Sequence, residues 1–128
     1  MEVTVGEQSA LLRDFVIVCP SGLIGIRDLK RKGLPAIYHG AFEIVQNPQR
    51  TGFYVVNLVE IQEYLKGVVP NEMPIRFGLE ALKAQAIAAR NYVLTPRTQA
   101  YEEFNVVDSV SSQVYFGANT EADLSTRA

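Results

Sequence analysis

The chain has 128 residues, yet it contains one cysteine and one histidine. A single thiol forms no internal disulfide, and Cys19 with His39 supplies too few ligands for a structural zinc site. Cys19 ends the apolar run Phe15-Val-Ile-Val-Cys and reads as a buried, inert thiol, while His39 reads as a surface or packed histidine rather than a ligand. No metal and no cofactor is expected. Nothing approaches the roughly 18 consecutive apolar residues of a membrane-spanning helix. A basic excess is missing too: 12 basic and 14 acidic residues leave a net charge of −2. Arg27, Lys30, Arg31 and Lys32 form the main basic cluster, but Asp28 interrupts it, so it reads as a solvated turn rather than a nucleic-acid stripe. The opening Met1-Glu-Val-Thr-Val lacks the basic and apolar regions of a signal peptide. That leaves a cytoplasmic protein, or an exported one whose signal and membrane contacts lie in segments outside this chain. Phosphate loops, nucleophile elbows and metal-binding helix motifs are likewise lacking.

What is present is ordinary globular material. Hydrophobic residues make up 48% and charged residues 20%, enough apolar content to exclude intrinsic disorder. The length suits one domain over residues 1–128. The first half has short β-branched and aromatic runs broken by Pro20-Ser-Gly, Gly33-Leu-Pro and Asn47-Pro-Gln-Arg-Thr-Gly, the pattern of hairpins. From Asn57 the apolar period becomes helical: Leu58, Ile61, Leu65 and Val68 share a face. Asn57 is the expected N-cap, with Glu60 completing a capping box and Gly67 as the terminating C′ glycine. A second helix is expected over 78–94, with Leu79, Leu82, Ala86, Ala89 and Val93 on its apolar stripe. A polar loop follows over 95–103, then one or two strands within 104–117, then a weak helix from Thr120. The expected fold class is α+β: an N-terminal β meander or small barrel, two helices joined by a connection bracketed by Pro70 and Pro74, a β segment and a short terminal helix.

The connection Gly67-Val-Val-Pro-Asn-Glu-Met-Pro places one carboxylate, Glu72, among apolar residues and two stiff prolines. An apolar surround favours the neutral form of a carboxyl, as general-acid chemistry near neutral pH requires. The same spacing fits an exposed glutamate with no chemical role. Lys83 and Arg90, two turns apart on the second helix, can hold an anionic or polyhydroxyl ligand. They also fit a solvated face with a Glu80–Lys83 pair. Gln113 and Tyr115 bring hydrogen-bonding groups of the kind sugar sites use, and equally suit the wet face of a sheet.

Resemblance adds to this reading. Tyr54-Val-Val-Asn-Leu-Val-Glu-Ile-Gln-Glu-Tyr-Leu-Lys-Gly-Val-Val-Pro-Asn-Glu-Met-Pro, then Leu79-Glu-Ala-Leu-Lys-Ala-Gln-Ala-Ile-Ala-Ala-Arg-Asn-Tyr, resembles the signature of the SpoIID/LytB family, the stage II sporulation protein D and amidase-enhancer proteins. Val107-Asp-Ser-Val-Ser-Ser-Gln-Val-Tyr-Phe-Gly resembles its next block, and Tyr38-His-Gly-Ala-Phe-Glu-Ile the hairpin before it. Close similarity covers residues 36–121. Where the family usually has Trp-Pro before the second helix, this chain has Phe77-Gly78. The family domain continues past the last residue of this chain, so a C-terminally truncated domain is expected.

The resemblance implies a peptidoglycan lytic transglycosylase, an enzyme that cuts between N-acetylmuramic acid and N-acetylglucosamine and leaves a 1,6-anhydro end. The family's catalytic glutamate falls on Glu72, and its helix arginine falls on Arg90. Lys83, Gln113 and Tyr115 are the further expected sugar contacts. The implied partners are peptidoglycan glycan strands, denuded of stem peptides, and a cell-wall amidase. The implied location is the cell envelope or exterior. A non-catalytic glycan-binding or amidase-enhancing module is the second reading. A structural domain with a Glu72–Arg90 salt bridge is the third.

Overall fold

Backbone pairing starts with a small hairpin and continues into a larger meander. In the computed structural model, which describes residues 2–5, 7–11, 14–47, 49, 51–95 and 103–128, β1 (Glu2–Val5) pairs antiparallel with β2 (Gln8–Leu11). β3 (Phe15–Arg31), β4 (Leu34–Gln46) and β5 (Phe53–Leu58) form a separate antiparallel sheet in the order β3-β4-β5. The β3–β4 hairpin closes at Lys32-Gly33, where both residues take positive φ. That is the two-residue turn whose twist matches the strands it joins.

Pro20-Ser-Gly does not end a strand, as its composition suggests. β3 runs through it, and the register moves from Val18↔Ala41 to Leu23↔His39, then from Ile26↔Ala36 to Lys30↔Pro35. The extra residues bulge outward, with Gly22 and Asp28 at positive φ. β3 lies at the sheet edge, so the N–H that Pro20 lacks leaves no ladder bond unmade.

β4 is central, and its buried residues fall on one alternating face, Ala36 and Tyr38, then Phe42 and Ile44, with Gly40 between them half-buried. Tyr64, Leu65 and Val68 of α1 (Ile61–Glu72), Ala89 of α2 (Leu79–Leu94) and Tyr115 beyond them complete this core. The fold is α+β, with a β meander followed by a helical pair.

Three expected boundaries move, each for a local reason. Asn57 caps no helix. It ends up in β5, where its Nδ2 donates to His39 O (2.9 Å) and Ala41 O (3.1 Å) and its Oδ1 accepts from the Tyr115 hydroxyl at 3.1 Å. The cap is Glu60, whose carboxylate accepts from the backbone N–H of Gln62 and Glu63. Gly67 does not stop α1 either: the helix continues through Pro70 to Glu72. Pro70 removes one helical donor, the one that would reach Lys66 O, and one turn on the Asn71 side chain donates its Nδ2 to Gly67 O at 2.6 Å. Only Pro74 lies outside the helix, capping a 3-10 turn at Ile75–Phe77 that leads into α2.

The polar loop expected over 95–103 lies outside the described residues except for its two ends, Thr95 and Glu103. Beyond it, the end of the 104–117 segment alternates as a β segment should, with Gln113, Tyr115 and Gly117 buried, but the segment pairs with no strand among the described residues. The segment lies instead across β4 and α1. Gly117, at φ 85°, passes so close to β4 that a Cβ there would stand 2.2 Å from Ile37 O. A 3-10 turn at Ala118–Thr120 and the short α3 (Asp123–Thr126) follow. Thr120 does not cap that helix; its hydroxyl donates to Gly117 O and accepts from Asn71 Nδ2.

Gly67 is buried against the Tyr115 ring, and a Cβ there would stand 2.6 Å from Cε2. Gly→Ala inside an exposed helix usually stabilises by about 1 kcal/mol. Here overpacking reverses the sign, and Gly67→Ala is expected to destabilise by about 1–3 kcal/mol in urea denaturation. Unchanged or raised stability would show that the Tyr115 ring moves aside freely.

Candidate functional site

The geometry around Glu72 is set by the end of α1 and the segment that crosses it. Glu72 is the last residue of the helix and is exposed, not enclosed by the prolines and valines around it in sequence. Its Oε1 accepts a hydrogen bond from the Val114 N–H, so one oxygen is anchored to the crossing segment.

Gln113, the residue before Val114, fixes that segment. It is 4% exposed. Its Oε1 accepts from the Tyr64 hydroxyl at 2.9 Å, and its Nε2 donates to Ala89 O at 3.3 Å. One amide thereby joins α1, α2 and the crossing segment. Burial pushes the Tyr64 phenol well above its ordinary value, with the Glu72 carboxylate and Tyr92 adding to the shift. The hydroxyl therefore stays protonated and remains a donor to Gln113. Tyr115, raised likewise by burial, lies 4.9 Å ring to ring from Tyr64 and 5.8 Å from Tyr38.

Gln113 and Tyr115 are therefore inside, with their polar atoms engaged by the protein. They stand behind the Glu72 anchor rather than on a surface that a sugar could touch. Buried Tyr64 and half-buried Asn57, which their residue types alone did not mark as functional, complete this polar set. The helical period placed Tyr64 on its element, whereas Asn57 was expected as a helix cap; the partner of each lay far along the chain.

The two helix cations are elsewhere. Arg90 is exposed and donates from Nη2 to Gln62 Oε1 at 2.9 Å. Gln62 is in the first turn of α1 and Glu72 in the last, ten residues apart, so the rise of about 1.5 Å per residue separates them by about 15 Å. The Glu72–Arg90 salt bridge is not formed. Lys83 pairs with Glu80 at 2.9 Å, as its i,i+3 spacing allows. Ile87 and Leu94, on the same stripe as Lys83 and Arg90, are both 64% exposed. The stripe is thus open to a ligand along its length, with its cations weakly committed to neighbours.

A cavity of about 700 Å³ lies between the sheet, the end of α2 and residues 103–108. Tyr38, Phe42, Asn57, Tyr64, Val93 and Phe104 help to line it. At its rim Arg31 pairs with Asp108. Glu72 is not part of its lining, so this cavity and the glutamate are separate features.

Comparison with known proteins places these features in a wider setting. The family described as stage II sporulation protein matches residues 49–128, the span from β5 onward that holds Glu72, Lys83, Arg90, Gln113 and Tyr115. An uncharacterized protein of Brachyspira hyodysenteriae is 38% identical over 82 residues, which is 62% of this chain and 22% of that protein. The amidase enhancer of Bacillus subtilis is 51% identical over 53 residues, 41% of this chain and 7% of the enhancer. The stage II sporulation protein D of Bacillus amyloliquefaciens is 49% identical over 45 residues, 35% of this chain and 13% of that protein. The chain spans 22% or less of the length of these relatives. No solved structure matches it.

The Gln113 amide is expected to matter for stability out of proportion to its size. Gln113→Leu leaves the buried Tyr64 hydroxyl without its acceptor, while the Ala89 carbonyl keeps its helical bond within α2, at a cost of about 1–3 kcal/mol. The urea midpoint is the measurement. A change below about 0.5 kcal/mol, the range of ordinary surface substitutions, would show that water replaces the amide at no loss.

Proposed function

The chain belongs to the stage II sporulation protein family, and we propose that it carries the acid/base glutamate of a peptidoglycan lytic transglycosylase acting on denuded glycan strands. The observation that supports this most is the placement of Glu72. Its carboxylate is exposed at the end of a helix and anchored through one oxygen by Val114 N–H, itself locked behind by Gln113. A solvent-facing carboxylate held at a defined point suits a reaction whose substrate is a polymer lying on the surface.

In this reading the protonated Glu72 donates to the glycosidic oxygen as the bond from muramic acid C1 to that oxygen breaks. The resulting carboxylate then takes the proton from the muramyl 6-hydroxyl, whose oxygen bonds to C1 and closes the anhydro ring. The acid is restored, and no water enters. Glycoside hydrolysis ordinarily needs two carboxylates because water must be activated separately; intramolecular attack needs one group acting twice.

Arg90 and Lys83 act at a distance from the bond being cut. A bound glycan strand extending from Glu72 along the α1–α2 pair brings other sugars to the open stripe of α2. Removal of stem peptides leaves a free lactyl carboxylate on each muramic acid, and arginine suits a carboxylate through two parallel charge-assisted hydrogen bonds. Gln113 and Tyr115 serve as positioning residues. Action on peptidoglycan places the protein in the cell envelope or outside the cell.

The second reading is a non-catalytic module that binds glycan or assists a cell-wall amidase. Two observations favour it: the similarity to a protein named amidase enhancer, and the absence of Glu72 from the lining of the large cavity.

Mass spectrometry of glycan digests separates the two. The protein should release products with anhydro-muramyl ends, and Glu72→Gln should lower turnover by about 10²–10⁴-fold, the usual contribution of general acid/base catalysis. Gln preserves an oxygen for Val114 N–H, so the fold should survive. Reducing ends would exclude the transglycosylase mechanism, whereas glycan binding or amidase stimulation equal in both proteins, without products, would establish the module.

Arg90→Ala is expected to weaken action on denuded strands more than on peptide-bearing ones, measured as kcat/KM on each. Equal losses would remove the lactyl carboxylate as its ligand.

A further inference from the structure

His39 stands alone in the sequence but not in the fold. Its Nε2 lies 2.8 Å from Glu121 Oε1 and 3.4 Å from Glu63 Oε2, and the three side chains share one partly buried spot. One residue comes from β4, one from α1 and one from the segment after the Ala118–Thr120 turn. His39 lies before residues 49–128, the span matched by the family, in the Tyr38–Ile44 stretch that resembles the family's hairpin.

We propose that His39, Glu63 and Glu121 bind one divalent transition-metal ion of the zinc type. The spacing supports it: oxygen and nitrogen ligands about 2.1 Å from a tetrahedral zinc ion stand about 3.4 Å from one another. The three donor atoms already lie within 4.8 Å of each other, so closing around an ion needs shifts of an ångström or so rather than a rearrangement. The donor set points the same way. An imidazole nitrogen selects zinc and its neighbours over magnesium or calcium, which prefer all-oxygen shells.

Charge balance favours a cation as well. Two carboxylates converge on one imidazole. Lys66 offsets part of this charge, its Nζ bonded to the other oxygen of Glu63 at 2.7 Å and its field reaching Glu121, which still leaves one more carboxylate than ammonium at the spot. That contact, with the nearby His39, holds the Glu63 carboxyl below its ordinary range. It also turns Oε2 toward His39, as partners behind a metal ligand commonly do. The field of Glu121 and Glu63 reaches Tyr115, where it adds to the upward shift caused by burial.

The ligands are preorganised. The backbone carbonyl of His39 accepts from Asn57, Glu63 occupies the first turn of α1, and Thr120, next to Glu121, is bonded to Asn71. The side chains remain 23–32% exposed, which leaves a path for an ion to enter. Three protein ligands leave at least one coordination position for water. The expected consequence is structural: the ion would tie the sheet, α1 and the C-terminal segment together at one point, and binding energy at such a site becomes folding energy.

The test is zinc titration by calorimetry, with metal content after dialysis. Both use a Cys19→Ser background, because the Cys19 thiol, made more acidic by its hydrogen bond with Ser21, is a competing zinc ligand. One equivalent of zinc should bind, and the melting temperature should rise by several degrees in zinc relative to chelator. His39→Gln and Glu121→Gln should each weaken binding at least about 10-fold and abolish the thermal shift. If His39→Gln does not fold, Glu121→Gln, which leaves β4 intact, gives the same reading. Zinc binding unchanged in these variants, no binding at micromolar zinc, or an equal thermal shift with magnesium would each overturn the proposal.

Discussion

The contact between Gly67 and the Tyr115 ring is the point on which the arrangement of this molecule depends. A helix surface without a side chain lets an aromatic ring lie directly on the α1 backbone. The residues around that ring are then carried to fixed places. Two positions earlier, Gln113 reaches between the helices; one position earlier, Val114 presents its N–H to Glu72; two positions later, Gly117 turns close over β4. The chain beyond brings Glu121 to His39. A packing allowance of a few ångströms thereby decides where a carboxylate is held and where a histidine meets two others.

Much of this was legible along the chain, and what was not has a common cause. Period 2 in β4 and the 3.6-residue stripe of α2 appear in the sequence because each element buries one face. The family signature marked Glu72. Asn57 and Gly67 misled because their types are those of helix punctuation, whereas tertiary partners fixed their use. Asn57 is held by the backbone of β4 and by Tyr115, and Gly67 by the need for space under a ring. The alternation in 113–117 was equally misleading: it records one buried face, but the backbone partner was the end of a helix and not another strand. His39 and Glu121 are 82 residues apart, and no local pattern reports such a pair.

Glu72 and Arg90 illustrate how helix geometry constrains chemistry. Both are on a helical pair that the signature identifies, and proximity in a motif suggests proximity in space. Yet α2 returns alongside α1 so that Arg90 faces the beginning of α1 and Glu72 its end. Two groups at opposite ends of a helix of 12 residues cannot act on the same bond of a small molecule. They can act on the same molecule if it is a polymer, and the arrangement therefore suits an extended substrate better than a compact one.

The outer margin of the sheet has a consequence for how the molecule keeps apart from its own copies. β3 carries exposed aliphatic side chains, with Val16 at 51% and Val18 at 70%, on an edge that has no neighbouring strand in its sheet. An edge of that composition ordinarily invites an incoming strand. Here the irregular stretches around Pro20–Gly22 and Asp28 interrupt the row of free N–H and C=O groups, and Pro20 removes one donor outright. Along the apolar half of the strand protection comes from backbone shape, and charge guards only its far end at Arg27, Asp28, Lys30 and Arg31. Regularising the strand, even with residues of identical polarity, would convert the same segment into a template for fibrous self-assembly.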